Sequence, residues 1–226
     1  EGKMRGKIFF PLAVILLAIC LSATCYAATP EEVVARVQAQ YDKTGGFKTR
    51  FRQESRVKVA NQVDIAEGWM YFLKPSRMRW QYETPPDQKK ELVSDGRQVW
   101  MYIPQDSLVM VYRIDKVLRS DLVMRFFSGG GEFQKDFQTS WNRPPEGGGP
   151  FVVDCVPRKP QPELKRLTLT INPRTYLLDK LEFANAMGEE TKFTFTQSQL
   201  NMNLKPDFFT FKPPPGVQVV KEAPGS

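Results

Sequence analysis

From Phe47 onward the chain is written in twos. Lys48, Arg50, Arg52, Glu54, Arg56 and Lys58 share one parity, while Phe47, Thr49, Phe51, Gln53, Ser55, Val57 and Val59 share the other. Successive side chains of a strand point to opposite faces, so this segment predicts a strand with one charged face and one face able to lie on an apolar layer. Further strands are predicted at 63–73, 77–84, 89–94, 98–103, 107–112, 133–138, 151–156, 164–172, 176–185, 191–199 and 208–212. Turn chemistry separates them, notably Asp95-Gly96, Asn172-Pro173 and Met187-Gly188. About a dozen short strands in succession with few helices exclude a βαβ fold and predict one curved antiparallel sheet in a single domain. Pro144-Pro145-Glu146-Gly147-Gly148-Gly149-Pro150 is the most loop-like stretch. Strands continue on both sides of it, which makes it a surface loop rather than a domain boundary.

Two helices are expected. Thr29-Pro30-Glu31-Glu32 opens the first: Thr29 can cap, Pro30 suits the first helical position, and Glu32 stands where a reciprocal capping bond forms. Val33, Val34, Val37 and Tyr41 follow on one side, and Gly45-Gly46 ends the periodic pattern. The second, over 116–127, places Leu118, Leu122 and Phe126 at four-residue intervals beside Val123 and Phe127, with Gly129-Gly130-Gly131 beyond it. An amphipathic helix between strands of a curved sheet buries its apolar side against that sheet, either as ordinary packing or as a cover over one mouth.

The first residues read as an address. Met4-Arg5-Gly6-Lys7 is basic, Ile8 to Leu21 is apolar apart from Pro11, and Thr24-Cys25-Tyr26-Ala27 ends in a residue suited to a signal peptidase. The apolar run of about 14 residues is short of the roughly 20 that cross a bilayer as a helix. Residues 1–27 are therefore expected to be a secretory signal peptide, Glu1-Gly2-Lys3 to lie upstream of the start, and 28–226 to be the exported mature domain. Attachment through a lipidated cysteine is the competing expectation, but Ile19 precedes Cys20 and Thr24 precedes Cys25, where such signals want a small residue. A net charge of +7 and a pI near 9.3 would suit nucleic acid. Export across the membrane puts the chain on the wrong side for it, and no nucleic-acid partner is expected.

With no histidine, the chain has neither Ser-His-Asp nor Cys-His machinery and no His-based zinc site. Of its three cysteines only Cys155 lies beyond the leader, in the apolar run Phe151-Val152-Val153-Asp154-Cys155, where a buried thiol is expected. The glycine runs at 129–131 and 147–149 lack the Gly-Lys-Ser/Thr that completes a phosphate cradle. Carboxylates are scattered, and Glu189-Glu190 falls at a hairpin turn. No enzyme, cofactor or metal site is expected.

What is unusual is apolar material on both parities. Gly68-Trp69-Met70-Tyr71-Phe72-Leu73 and Val99-Trp100-Met101-Tyr102-Ile103 have no polar face, which predicts apolar surroundings on both sides of those strands. In Arg77-Met78-Arg79-Trp80-Gln81-Tyr82-Glu83 alternation returns, with Met78, Trp80 and Tyr82 on one face. A core packed by helices and a greasy cavity both fit this pattern; methionines among aromatics suit a site that adapts to flexible chains. The charged parity of 48–58 is either a solvated outer face or a stripe that docks an acidic partner or anionic head groups.

The runs Gly68-Trp69-Met70-Tyr71-Phe72-Leu73-Lys74-Pro75, Met78-Arg79-Trp80, Leu92-Val93-Ser94-Asp95-Gly96 with Val99-Trp100-Met101-Tyr102, and Phe209-Thr210-Phe211-Lys212-Pro213-Pro214-Pro215-Gly216-Val217 together resemble the LolA family of periplasmic lipoprotein carriers. The resemblance is strongest over 66–104 and 207–219 and weakest over 113–163. It implies a mainly β fold, a single antiparallel sheet curved into an incomplete half β-barrel under a helical lid, whose apolar interior shields acyl chains. Its implied partners are acylated lipoprotein cargo, an inner-membrane lipoprotein-releasing ABC transporter and an outer-membrane receptor, with the carrier a monomer. By the same resemblance Met78, Trp80, Leu92 and Trp100 fall on the family's apolar sheet positions, and Met70 and Phe72 join them in the expected lipid-binding cavity. Leu122, Val123, Phe126 and Phe127 are the expected lid residues. Lys74 stands where the family has an arginine that latches the lid backbone, and an ammonium lacks the guanidinium fork. Other cargo readings are a free lipid or glycolipid, or a regulatory domain that senses envelope lipids.

Overall fold

The computed structural model describes residues 28–57, 62–113, 127, 133–160 and 164–221. Helix α1 (Pro30–Asp42) starts on the expected capping box: the Glu32 N–H donates to Thr29 Oγ1 at 3.2 Å, and the Thr29 N–H donates to Glu32 Oε2 at 3.0 Å. Val33, Val34, Val37 and Tyr41 are buried along one side. The helix stops before the glycines: Thr44 Oγ1 donates to the Gln40 carbonyl, and Gly46 already opens the first strand.

Twelve strands follow: β1 (Gly46–Val57), β2 (Gln62–Leu73), β3 (Arg77–Thr84), β4 (Lys90–Ser94), β5 (Gln98–Ile103), β6 (Leu108–Arg113), β7 (Phe137–Arg143), β8 (Phe151–Pro157), β9 (Arg166–Ile171), β10 (Leu178–Ala184), β11 (Glu190–Leu200) and β12 (Gln218–Lys221). They form one sheet in the order β12-β6-β5-β4-β3-β2-β1-β11-β10-β9-β8-β7. Two meanders thus spread in opposite directions from the β1/β11 seam. Neighbours are antiparallel except β12, which runs parallel to β6. β12 and β7 end the order without pairing with each other, so the sheet is left open.

Three strand expectations change. Residues 133–136 form a helical turn before β7 rather than a strand. Residues 208–212 form no strand: Pro206–Phe209 is a 3-10 turn that buries Phe209 completely, and the prolines at 213–215 have no N–H for a ladder. The last strand, β12, was not foreseen because its four residues are too few to show a period. The expected helix over 116–127 lies outside the described residues except for Phe127, which is helical.

Residues directly opposed in an antiparallel pair share a face. One inner row runs Phe47, Phe72, Met78, Ser94, Val99, and the next Thr49, Met70, Trp80, Leu92, Met101, Met110. Across the seam Val153, Cys155, Leu167, Leu169 and Ile171 extend the buried core beneath α1. Gly68 lies between Phe51 and Tyr82 in a third row, at a bulge in the β2/β3 register. Having no side chain there lets the two rings meet edge to face at 4.9 Å. A Cβ on Gly68 would lie 1.8 Å from the Gln81 carbonyl oxygen, a backbone atom that cannot step aside. Gly68→Ala is therefore expected to cost about 3 kcal/mol, read by urea denaturation; a loss under about 1 kcal/mol would show that the bulge relaxes freely.

Candidate functional site

The concave face carries two kinds of lining. Near α1 it is closed: Met70, Phe72 and Met78 are buried with Tyr41 and Phe47. Phe72 stacks on Phe47 at 5.4 Å, and Tyr41 tilts over Phe47 at 5.5 Å. Farther along the strands Trp80 and Leu92 are only partly buried, in an aromatic cluster that joins Phe51, Tyr82 and Phe193. Trp80 lies 5.0 Å from Phe51 and 5.4 Å from Phe193. Five of the six residues expected in the cavity, Met70, Phe72, Met78, Trp80 and Leu92, are thus brought onto one face.

Trp100 is the correction. It pairs with Val93 and Val111, one residue out of phase with Leu92 and Met101, and so stands on the outer face. There its ring meets Phe211 at 6.4 Å. The C-terminal segment covers this side of the sheet: Phe208 lies 4.9 Å from Tyr71, and Arg79 Nη1 donates to the Phe208 carbonyl at 2.7 Å while its guanidinium sits over the Phe208 ring. Strands β2 and β5 are apolar on both parities because both faces are covered. Met101 takes the inner position. Strand pairing opposite Leu92 was the only signal that could have found it, since the strand itself shows no polar side.

Of the expected lid residues, Leu122, Val123 and Phe126 lie outside the described residues. Phe127 is buried and meets Tyr41 edge to face at 5.1 Å and Phe47 at 5.6 Å. The space enclosed by Tyr41, Phe47, Thr49, Met70, Phe127, Phe195, Ser198 and Leu200 is only about 10 Å³, room for a single water at most.

The lid backbone expected to receive Lys74 lies outside the described residues; among those described, Lys74 meets the end of α1. Its Nζ donates to the Asp42 carbonyl at 2.6 Å, at the end of α1, and its N–H donates to Gly45. The β1/β2 register explains this: Leu73 lies opposite Gly46, so the next residue lands beside the last carbonyls of α1, which have no partner within the helix.

The charged parity of β1 forms the outer surface, where Arg50 and Arg52 are matched by carboxylates and Lys48 sits over the Trp69 ring. Arg52 binds Glu67 at 2.9 Å and Glu54 at 3.2 Å, Arg50 binds Glu67 at 3.4 Å and Glu83 at 3.5 Å, and Lys192 binds Glu54 at 2.8 Å. Hydrogen bonds from Arg52 to Glu67 and from Lys192 to Glu54 hold both carboxyls below the usual range. Cys155 is buried, and burial raises its thiol pKa far above the ordinary range, which leaves it unreactive.

An open antiparallel half-barrel with an aromatic and methionine-rich inner face defines a class of ligand-holding proteins rather than a single function. The profile of the outer membrane lipoprotein carrier protein LolA matches residues 42–212, and the chain belongs to that family. It is 26% identical over 220 residues to the outer-membrane lipoprotein carrier protein of Nitrosomonas europaea, covering 93% of this chain and 98% of that one. With the carrier protein of Methylibium petroleiphilum it shares 27% over 218 residues, 96% of this chain and 99% of the other. A conserved protein of Thermus thermophilus, known from its crystal structure, superposes with a TM-score of 0.54 at 13% identity, over 85% of this chain and 98% of that one. At that identity the likeness bears on the fold alone.

If the Lys74 ammonium ties α1 down, Lys74→Met keeps the stem and loses the bond. The expected cost is about 1 kcal/mol, with faster amide exchange confined to the last turn of α1. Unchanged exchange there would show that the contact is idle.

Proposed function

We propose that this protein is a periplasmic carrier of lipoproteins, which takes acylated cargo from an inner-membrane ABC transporter and passes it to an acceptor at the outer membrane. The observation that carries the reading is the single-faced row Met70, Trp80, Leu92 and Met101, an apolar surface laid along a sheet that does not close. Membership of the LolA family supplies the cargo class.

Burial of one acyl chain of about 14 carbons is worth roughly 10 kcal/mol at about 0.8 kcal/mol per methylene. A carrier that kept all of that could not release. Phe127, Tyr41 and Phe47 already pack on one another at the α1 end of the apolar face, so cargo that extends there displaces contacts that the empty protein makes with itself. Net affinity is the difference between the two, low enough for an acceptor with a better apolar surface to remove the chain. Lys74, by holding the end of α1, favours the closed arrangement.

Added to spheroplasts of its source organism, the protein is expected to release newly made lipoproteins into soluble one-to-one complexes. Phe127→Ala is expected to keep its cargo longer when acceptor membranes are added, since less self-contact competes. A protein that releases no lipoprotein, yet carries a free lipid when purified from its native periplasm, would overturn the cargo assignment.

A further inference from the structure

The inner face changes character along β1. Phe47, Thr49 and Phe51 are buried, but the next two inner residues, Gln53 and Ser55, are polar and partly exposed. Tyr82 Oη donates to Gln53 Oε1 at 3.0 Å, and Gln53 Nε2 donates to Ser55 Oγ at 2.9 Å, which lies 3.5 Å from Thr191 Oγ1. The second N–H of the Gln53 amide has no acceptor among the described residues.

Beside this ladder stands a cation. Lys90 lies opposite Tyr82, on the same face as Leu92, with its Nζ 4.4 Å from the centre of the Tyr82 ring. It is partly buried, burial lowers its pKa, and no carboxylate among the described residues pairs with it. Its position contrasts with that of Arg50 and Arg52 on the outer face, which are matched by carboxylates. The one carboxylate nearby on the inner parity is Asp64, opposite Ser55, farther toward the hairpin tip and bonded to Gln62 at 2.8 Å. A partly desolvated cation held on an aromatic ring without a counter-ion favours an anionic ligand.

We propose that Lys90, Tyr82 and Gln53 form an anion subsite at the polar end of the apolar row, which lets the row also take single-chain amphiphiles whose head is a carboxylate or phosphate, beside an acylated cargo whose ester- and amide-linked chains carry no such head. The inference rests on the carrier reading, because it needs an acyl chain along Trp80 and Leu92 to bring the head to Lys90. An aliphatic tail on that row places its head two residues farther along β3 and β4, where Tyr82 and Lys90 stand.

The test uses four probes with one ten-carbon tail, each below its micelle threshold: decanoate, decyl phosphate, decanol and decyltrimethylammonium. Binding is read by calorimetry and tryptophan fluorescence. Decanoate or decyl phosphate is expected to bind about tenfold more tightly than decanol, and decyltrimethylammonium more weakly still. The tighter of the two anions identifies the head as carboxylate or phosphate. Lys90→Met should bring the anions to the level of decanol and leave decanol unchanged, while Lys90→Arg keeps the preference. Equal binding of decanoate, decyl phosphate and decanol, or a preference that survives Lys90→Met, overturns the subsite and leaves the apolar row standing. If none of the four binds, the subsite is overturned as well, while the carrier reading is decided separately by lipoprotein release from spheroplasts.

Discussion

The pairing register along the successive strands β1 to β5 decides what each face of this protein can hold, because a shift of one residue would send every inner side chain of the shifted strand outward. In the register observed, Met70, Trp80, Leu92 and Met101 stand in one line on the concave side, and Tyr71, Arg79, Val93 and Trp100 in the next line on the convex side. The bulge at Gly68 belongs to the same constraint: it brings Phe51 against Tyr82 and so joins the aromatic cluster. Curvature then makes one face a trough and the other an outer wall.

Two covers of different kind complete the sheet. The C-terminal segment is fastened to the outer wall by charge and by rings: Arg79 bridges Glu91 at 2.6 Å and the Phe208 carbonyl, and Phe209 is fully buried. On the inner side Tyr41 and Phe127 rest on Phe47 through ring contacts, while hydrogen bonds tie α1 itself to the sheet side: Arg36 to the Tyr176 hydroxyl at 2.8 Å, Thr139 to Glu31 at 2.7 Å and Lys74 to the Asp42 carbonyl at 2.6 Å. The Phe127 ring contacts can be exchanged for apolar contacts with an acyl chain, whereas the hydrogen bonds of α1 and of the outer cover have no such substitute. The difference fits a protein in which the Phe127 contact competes with cargo while α1 and the outer cover stay in place.

Much of this was legible in the sequence, for reasons that can be named. The parity of β1 was readable because its outer residues are charged, and the start of α1 because capping chemistry is local. Trp100 was misplaced because β5 is apolar on both sides, so period two carries no phase; only the strand opposite it supplies one. The 3-10 turn at Pro206–Phe209 was hidden for a related reason, since its phenylalanines serve as plugs on the outer wall instead of alternating along a strand. Lys90 was passed over because a lysine at a strand end ordinarily faces water, and its inward direction follows only from its pairing with Tyr82.

The central claim is that cargo lies on the concave row and not on the convex side, where Trp100 and the C-terminal segment meet. A photoreactive benzophenone amino acid placed at Met101, and separately at its outward-facing neighbour Trp100, tests it by irradiation of the carrier loaded with radiolabelled, acylated lipoprotein. The account predicts a crosslink to the acyl chain from position 101 and none from position 100. Equal crosslinking from both, or crosslinking from position 100 alone, would contradict it.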